Sequence, residues 1–303
     1  MNHFLKALNL KILKMKNKTN LVFLLLIIVT GNIMAQEVYC RFEFGEQILY
    51  GKVEGKKILP LDKAPWEGGK INGRAFELNK VKLLHPSEPK VILGLGGSYS
   101  NSWKDKKPYN SVRWFLKPHS AAASPNDIVL IPIAVDALKV EAELVIVIGK
   151  TIKNADESEA GNAIFGYTIG DDIVGWTDSF HEKENEPKNQ KEPLLGPGLK
   201  IGDRFAPFGP FIYTKIDWKN KERKMLVTDA SGKVKINTSN NTSNLVYSPS
   251  KIVSDLSKIL TLSPGDIVFT GTDKSYVVLD GDSVSISIEG LGTLTNTIKN
   301  YEK

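Results

Sequence analysis

The sequence predicts an α+β fold, rich in strands and poor in helices. Short β-branched and aromatic runs recur along most of its 303 residues. Only two segments read as helices. One run, VEAELVIVIG, begins with alternating acids and becomes continuously apolar, as a strand does on entering a core.

The elements follow in order. Residues 1–35 read as a secretory signal peptide: the first 20 hold five lysines and no acid, the apolar run Leu21 to Val29 follows, and Ala35 is the expected last residue. A membrane span needs about 20 apolar residues, so this run is short for one. An uncleaved anchor using Leu21 to Ala35 is the alternative. Val38 and Tyr39 are the wrong residues to precede a lipid anchor on Cys40. The expected product is exported, to periplasm or medium, and free of the membrane.

Residues 36–89 form a small N-terminal β subdomain, with strands in EVYCRFEF, QILYGKVEG and KKILPL and turns at Gly51 and Gly55. VKLLHPSEP is the connector. Residues 90–303 form one larger domain. VILGLG and DIVLIP are buried strands, and Asp156 to Asn162 is a short helix. IFGYTIGDDI is a strand ending in acids, and Ser179 to Pro197 is a polar loop. SPSKIVSDLSKIL is the better helix: Ile252, Val253, Leu256, Ile259 and Leu260 share a face, and Ser248 or Ser250 caps it. DIVFTGT, SVSISIEG and LGTLTNTI close the chain as strands.

Charge and sulfur exclude some functions. The net charge of +6 sits mostly in the leader; without its five lysines, 35 basic residues face 34 acidic ones. Nothing in that balance calls for nucleic acid. The single cysteine, Cys40, cannot close an internal disulfide, so packing must hold the fold.

Chemistry centres on acids. Glu141 and Glu143 are i and i+2 in a strand, so they share a face at the mouth of an apolar run. Spacing alone leaves two readings: ligands of a divalent cation, or a solvated strand end paired with lysine. Asp171 and Asp172 end a second apolar strand, as a third ligand or as a turn or cap. Oxygen-only ligation suits Mg²⁺, Ca²⁺ or Mn²⁺. The GxGG of VILGLGGS lacks the full dinucleotide fingerprint.

These segments resemble motifs of the fumarylacetoacetate hydrolase family. VEAELVIVIGK is similar to its "ExELxVVIGK", IFGYTIGDDI to "GYTxxND", KIGDRFAPFGPFI to "KxxDxxxPxGPxx", and LTLSPGDIVFTGT to "TLxPGDxxxTGTP". VRWFLKPHSA resembles "xxFxKPxSA", and GDSVSISIEGLGTLTNTI resembles the closing segment. The likeness runs from about Glu37 to Ile298. It implies a mixed β-roll, a homodimer, and a hydrolase or isomerase acting on a small 1,3-dicarbonyl or 2-oxo acid through a metal-bound enolate. Carried over by position, Glu141, Glu143 and Asp172 are metal ligands and Lys200 is catalytic. Thr272, Lys117 and Tyr99 line the substrate pocket.

The sequence also departs from the family. In GGSYSNSWKD, Ser98 replaces an asparagine, and Ser102 and Asp105 replace the lid's histidine and glutamate, which activate water. Trp176 replaces an arginine and Asp273 a proline. Serine is no general base near neutral pH without a helper. Beyond the leader, the histidines are His85, His119 and His181. His119, beside the KP motif, is the expected substitute base, ahead of His181. Two alternatives follow from the altered lid: an oxo-acid decarboxylase, or a non-catalytic metal- and carboxylate-binding protein.

Overall fold

A computed structural model describes residues 36–100, 103, 107–176 and 200–301. Residues 1–35, read above as a leader, Ser102, Asp105, His181 and the whole of the expected Ser179–Pro197 loop lie outside the described residues. Residues from Glu37 onward form one compact unit.

Strands dominate, as α+β patterning predicts, and two sheets carry the architecture. The larger has eleven strands. Its centre runs from Phe211–Tyr213 through Ile164–Asp171, Ala142–Ile148 and Ile267–Phe269 to Ile92–Gly96, with Arg113–Lys117 at the edge. Ala142–Ile148 is buried at all seven positions. That explains its unbroken apolar run: a strand covered on both faces has no polar side to alternate. Ile267–Phe269 pairs parallel with Ile92–Gly96, while most other pairs are antiparallel, so the sheet is mixed.

The second sheet has five strands, from Val234–Asn241 through Glu222–Thr228, Ser283–Ile288 and Gly292–Asn300 to Ile128–Ile131. Ser283–Ile288 alternates half-buried and buried, with Val284, Ile286 and Ile288 inward. These residues share one core with Leu144, Ile146 and Ile169 of the larger sheet.

The N-terminal strands Val38–Phe44, Gln47–Glu54 and Lys57–Leu61 form an antiparallel meander around Cys40, Phe42 and Ile58. Burial pushes the Cys40 thiol up to about 12, so it stays an inert apolar group. Val38–Phe44 also pairs with Phe211–Tyr213, which makes the meander an extension of the large sheet.

Two α-helices are described. Glu157–Ala163 starts at a capping box: Asp156 accepts the Glu159 N–H, and Glu159 reaches back to the Asp156 N–H. Pro249–Ile259 is capped by Ser248, not Ser250. Ile252, Val253 and Leu256 are fully buried as expected, but Ile259 is 57% exposed. The chain leaves the helix at Leu260, and Leu262 takes the core position by exchanging backbone bonds with Ile152. Among the described residues, no helix is long and apolar enough to cross a membrane.

Candidate metal centre

Extended backbone puts Glu141 and Glu143 on one face. Asp172 arrives from the paired strand: Ala142 faces Asp171, and the Asp172 N–H donates to the Glu141 carbonyl at 3.1 Å. One carboxylate oxygen from each of Glu141, Glu143 and Asp172 lies within 4.8 Å of the others. The DD pair divides its work. Asp171 Oδ1 accepts the Glu141 N–H at 2.8 Å and fixes the backbone, while Asp172 joins the cluster.

A third segment closes the site. Just past Ile267–Phe269, the Gly271 N–H donates to Glu143 Oε2 at 2.6 Å. Glycine is required there: φ is +89°, and a Cβ would stand 2.0 Å from Ser98 Oγ. Ser98 donates to the Thr270 carbonyl at 2.5 Å. The serine that departs from the lid motif thus ties down the loop behind a ligand.

Two lysines face the acids. Lys200 Nζ lies 2.8 Å from Glu141 Oε2 and 2.6 Å from Asp172 Oδ2. Lys117 is buried, and its Nζ donates to the carbonyls of Ile173, Lys200 and Phe205 at 3.0, 2.8 and 2.8 Å. It also stands 2.7 Å from Asp172 Oδ1. An ammonium has three protons, and the carbonyls take them. The contact with Asp172 is a buried ion pair added to these three bonds.

Burial governs the ionisation. It pushes Glu141 up to about 7, with Lys200 pulling back. It pushes Glu143 well above the carboxylate range, and the charges of Asp172 and Glu141 push the same way. It lifts Asp171 to about 8. Burial opposes the charge on Lys200, but Asp172 and Glu141 outweigh it and raise its pKa. Burial and the Lys200 charge lower the Lys117 pKa, against the pull of Asp172.

The residues fit a hard divalent cation. All donors are carboxylate oxygens. Asp172 Oδ1 meets the Lys117 ammonium, whereas Glu143 Oε1 is buried and has no hydrogen-bond or ion-pair partner among the described residues. A buried carboxylate oxygen left this way is costly unless a cation meets it. Oxygens about 2.1–2.6 Å from one ion lie at most about twice that apart, which the 4.8 Å spread satisfies.

Other sequence-predicted residues land differently. Lys117 Nζ is held by three backbone carbonyls and by Asp172, and through them it organises Asp172 and Lys200. Tyr99 is fully buried, with the Arg223 guanidinium 4.4 Å from its ring centre. It supports the wall. Thr272 donates to the Lys274 carbonyl at 3.3 Å and borders a small cavity with Arg223, Thr238, Asp273 and Tyr276. His119 is not brought to the carboxylates. It starts the exposed turn His119–Ala121, and its Nδ1 lies 3.0 Å from the Pro89 carbonyl. Pro118 ends the inward path of the strand at Lys117, which is why the next side chain faces out. His85 sits against Phe208 and the Ser87 carbonyl. Trp176 is covered by Lys139. Sequence reasoning missed Asp171, Gly271 and Arg223 as supports. The glycine of TGT was a signal; Arg223, in the charged run KNKERK, had none.

Two family profiles match the chain: "Fumarylacetoacetate (FAA) hydrolase C-terminal" over residues 95–299 and "Rv2993c-like, N-terminal" over residues 39–86. The chain belongs to the fumarylacetoacetate hydrolase family. A fumarylacetoacetate hydrolase domain-containing protein 2 homolog of Dictyostelium discoideum is 33% identical over 252 residues, 76% of this chain and 78% of the relative. The crystal structure of 2-hydroxyhepta-2,4-diene-1,7-dioate isomerase from Mycobacterium marinum matches with a TM-score of 0.74 at 29% identity, over 89% of this chain and 100% of that one. A maleylpyruvate hydrolase from Sphingobium sp. SYK-6, in complex with manganese(II) and pyruvate, shares the fold with a TM-score of 0.65 at 23% identity, over 88% of this chain and 100% of that one. Members of the family are named as isomerases, hydrolases or decarboxylases of small molecules.

Proposed function

We propose that the chain is a divalent-metal-dependent isomerase or hydrolase of small 1,3-dicarbonyl or 2-oxo acids. One observation carries the reading. Glu141, Glu143 and Asp172 converge, with the buried Glu143 Oε1 left without a partner among the described residues, beside the Lys200 ammonium. Magnesium, manganese or calcium held by these three residues would supply Lewis acidity toward the substrate oxygens.

The chain's own residues do the rest. Asp171, Gly271 and Lys117 hold the ligands in place from behind. Lys200, now 2.8 Å from Glu141 Oε2 and 2.6 Å from Asp172 Oδ2, would supply positive charge where the substrate becomes negative. Phe115, 5.0 Å below the Lys200 ammonium, keeps that charge against an aromatic face. Isomerisation is the favoured reaction, because moving a proton between carbons needs no activated water. Ser102 and Asp105 stand where a water-activating pair would be, and the Mycobacterium marinum neighbour is named an isomerase.

A second reading, a metal- and carboxylate-binding protein without turnover, has one observation in its favour. Neither His85 nor His119 reaches the acids. The two readings separate on the full chain incubated with Mn²⁺ and an acylpyruvate or oxaloacetate in D₂O. Deuterium uptake or product that needs Mn²⁺, and is lost in Glu141→Ala/Glu143→Ala, supports the enzyme. Oxo-acid binding without exchange or product supports the binder. Absence of Mn²⁺ binding would remove both. Export and dimerisation belong to the same proposal; an N-terminus at Gln36 and a mass of two chains by light scattering are the expected results.

A further inference from the structure

We infer that Arg223 and Asp273 are positioning residues for the metal ligand Glu143, acting through Gly271; the inference rests on the metal-centre reading above. Arg223 comes from the five-stranded sheet, is 3% exposed, and reaches across to the loop after Ile267–Phe269. Its Nη1 donates to the Gly271 carbonyl at 3.3 Å, and its Nη2 donates to Asp273 Oδ1 at 2.7 Å. Tyr99 backs the guanidinium from below. The same Gly271 donates its N–H to Glu143 Oε2.

A glycine at positive φ is the residue most free to pivot. Left alone, Gly271 would swing its N–H off the carboxylate. Three contacts prevent that. Ser98 holds the preceding carbonyl, Arg223 holds the carbonyl of Gly271 itself, and Asp273 holds Arg223. With Oε2 so fixed, Glu143 is held in place beside Asp172 and Glu141, with Oε1 left free of any hydrogen bond among the described residues. The planar fork of arginine makes both bonds at once; a lysine ammonium at the end of its stem does not reproduce that geometry. Asp273 occupies the position where the family motif has proline. The restraint a pyrrolidine ring imposes on the backbone is replaced here by an ion pair with a neighbouring sheet.

The test uses the purified full chain and Mn²⁺. Affinity is measured by calorimetry, the ligand field by electron paramagnetic resonance of bound Mn²⁺, and folding by the melting point of the metal-free protein. Asp273→Ala and Arg223→Lys are expected to weaken Mn²⁺ binding about tenfold or more, as changes behind a ligand do, and to broaden the Mn²⁺ spectrum. Asp273→Asn keeps an oxygen for Nη2 and is expected to retain parent affinity within about threefold, a small fraction of such second-sphere losses. Ile252→Val, a destabilising control in the helix, is expected to lower the melting point and leave affinity unchanged. Should a single variant fail to fold, Arg223→Met/Asp273→Ala leaves no lone buried charge and is expected to show the same loss. Parent-like affinity in Asp273→Ala and in the double variant overturns the relay while sparing the metal site. A parent chain that binds no Mn²⁺ overturns the metal site and the relay together.

Discussion

Glu143 sits in a core strand with one oxygen on Gly271 and the other buried without a partner among the described residues. Its cost is a matter of protons. A carboxyl that stays protonated in the fold, but ionises freely when unfolded, stabilises the fold below its usual range near 4.5. That contribution is lost as pH rises through about 7 for Glu141 and about 8 for Asp171. The metal-free protein is therefore expected to lose stability between pH 5 and 8 in urea titrations. Mn²⁺ must displace those protons, so its affinity is expected to rise over the same window. Glu143→Gln keeps an acceptor for Gly271 but removes the charge. It should make the metal-free protein more stable at pH 8, and weaken Mn²⁺ by more than the roughly 10–100-fold of second-sphere changes. The pairing of Glu141 with Glu143 was legible because a strand repeats every two residues. The roles of Asp171 and Asp172 were not separable by spacing, since which one turns inward depends on the register with Ala142.

At the scale of elements, the helix Pro249–Ile259 shows what periodicity can and cannot carry. Its buried face followed from the sequence, and so did a serine cap. Ser248→Ala removes the acceptor of the Lys251 N–H and is expected to cost about 1 kcal/mol in denaturant unfolding. Ile259 belonged to the apolar stripe by spacing but lies past the end of the surface the helix covers, so solvent meets it. Turns behave alike. Gly271→Ala forces a left-handed residue into Ser98, and is expected to lower both the melting point and the Mn²⁺ affinity. The TGT motif marked this glycine, while the reason for it came from a residue 173 positions earlier.

For the molecule as a whole, the order of motifs along the chain was enough to indicate a mixed β-roll. The joining of the N-terminal meander to the large sheet, through Val38–Phe44 and Phe211–Tyr213, was not, because strand partners distant in sequence leave no local pattern. That junction predicts that a fragment of residues 90–303 has a bare sheet edge. Such a fragment is expected to aggregate or unfold at lower denaturant than the full chain, measured by sedimentation and urea titration. The parallel pairing of Ile92–Gly96 with Ile267–Phe269 has a consequence for synthesis. The Lys90 N–H bonds to Asp266, 176 residues on, a stretch that takes about 10–35 s to translate at roughly 5–20 residues per second. Until the ribosome has delivered that strand, the middle of the sheet has no neighbour on one side. The nascent chain therefore stays open, its central strands without their last neighbour, for most of its own manufacture.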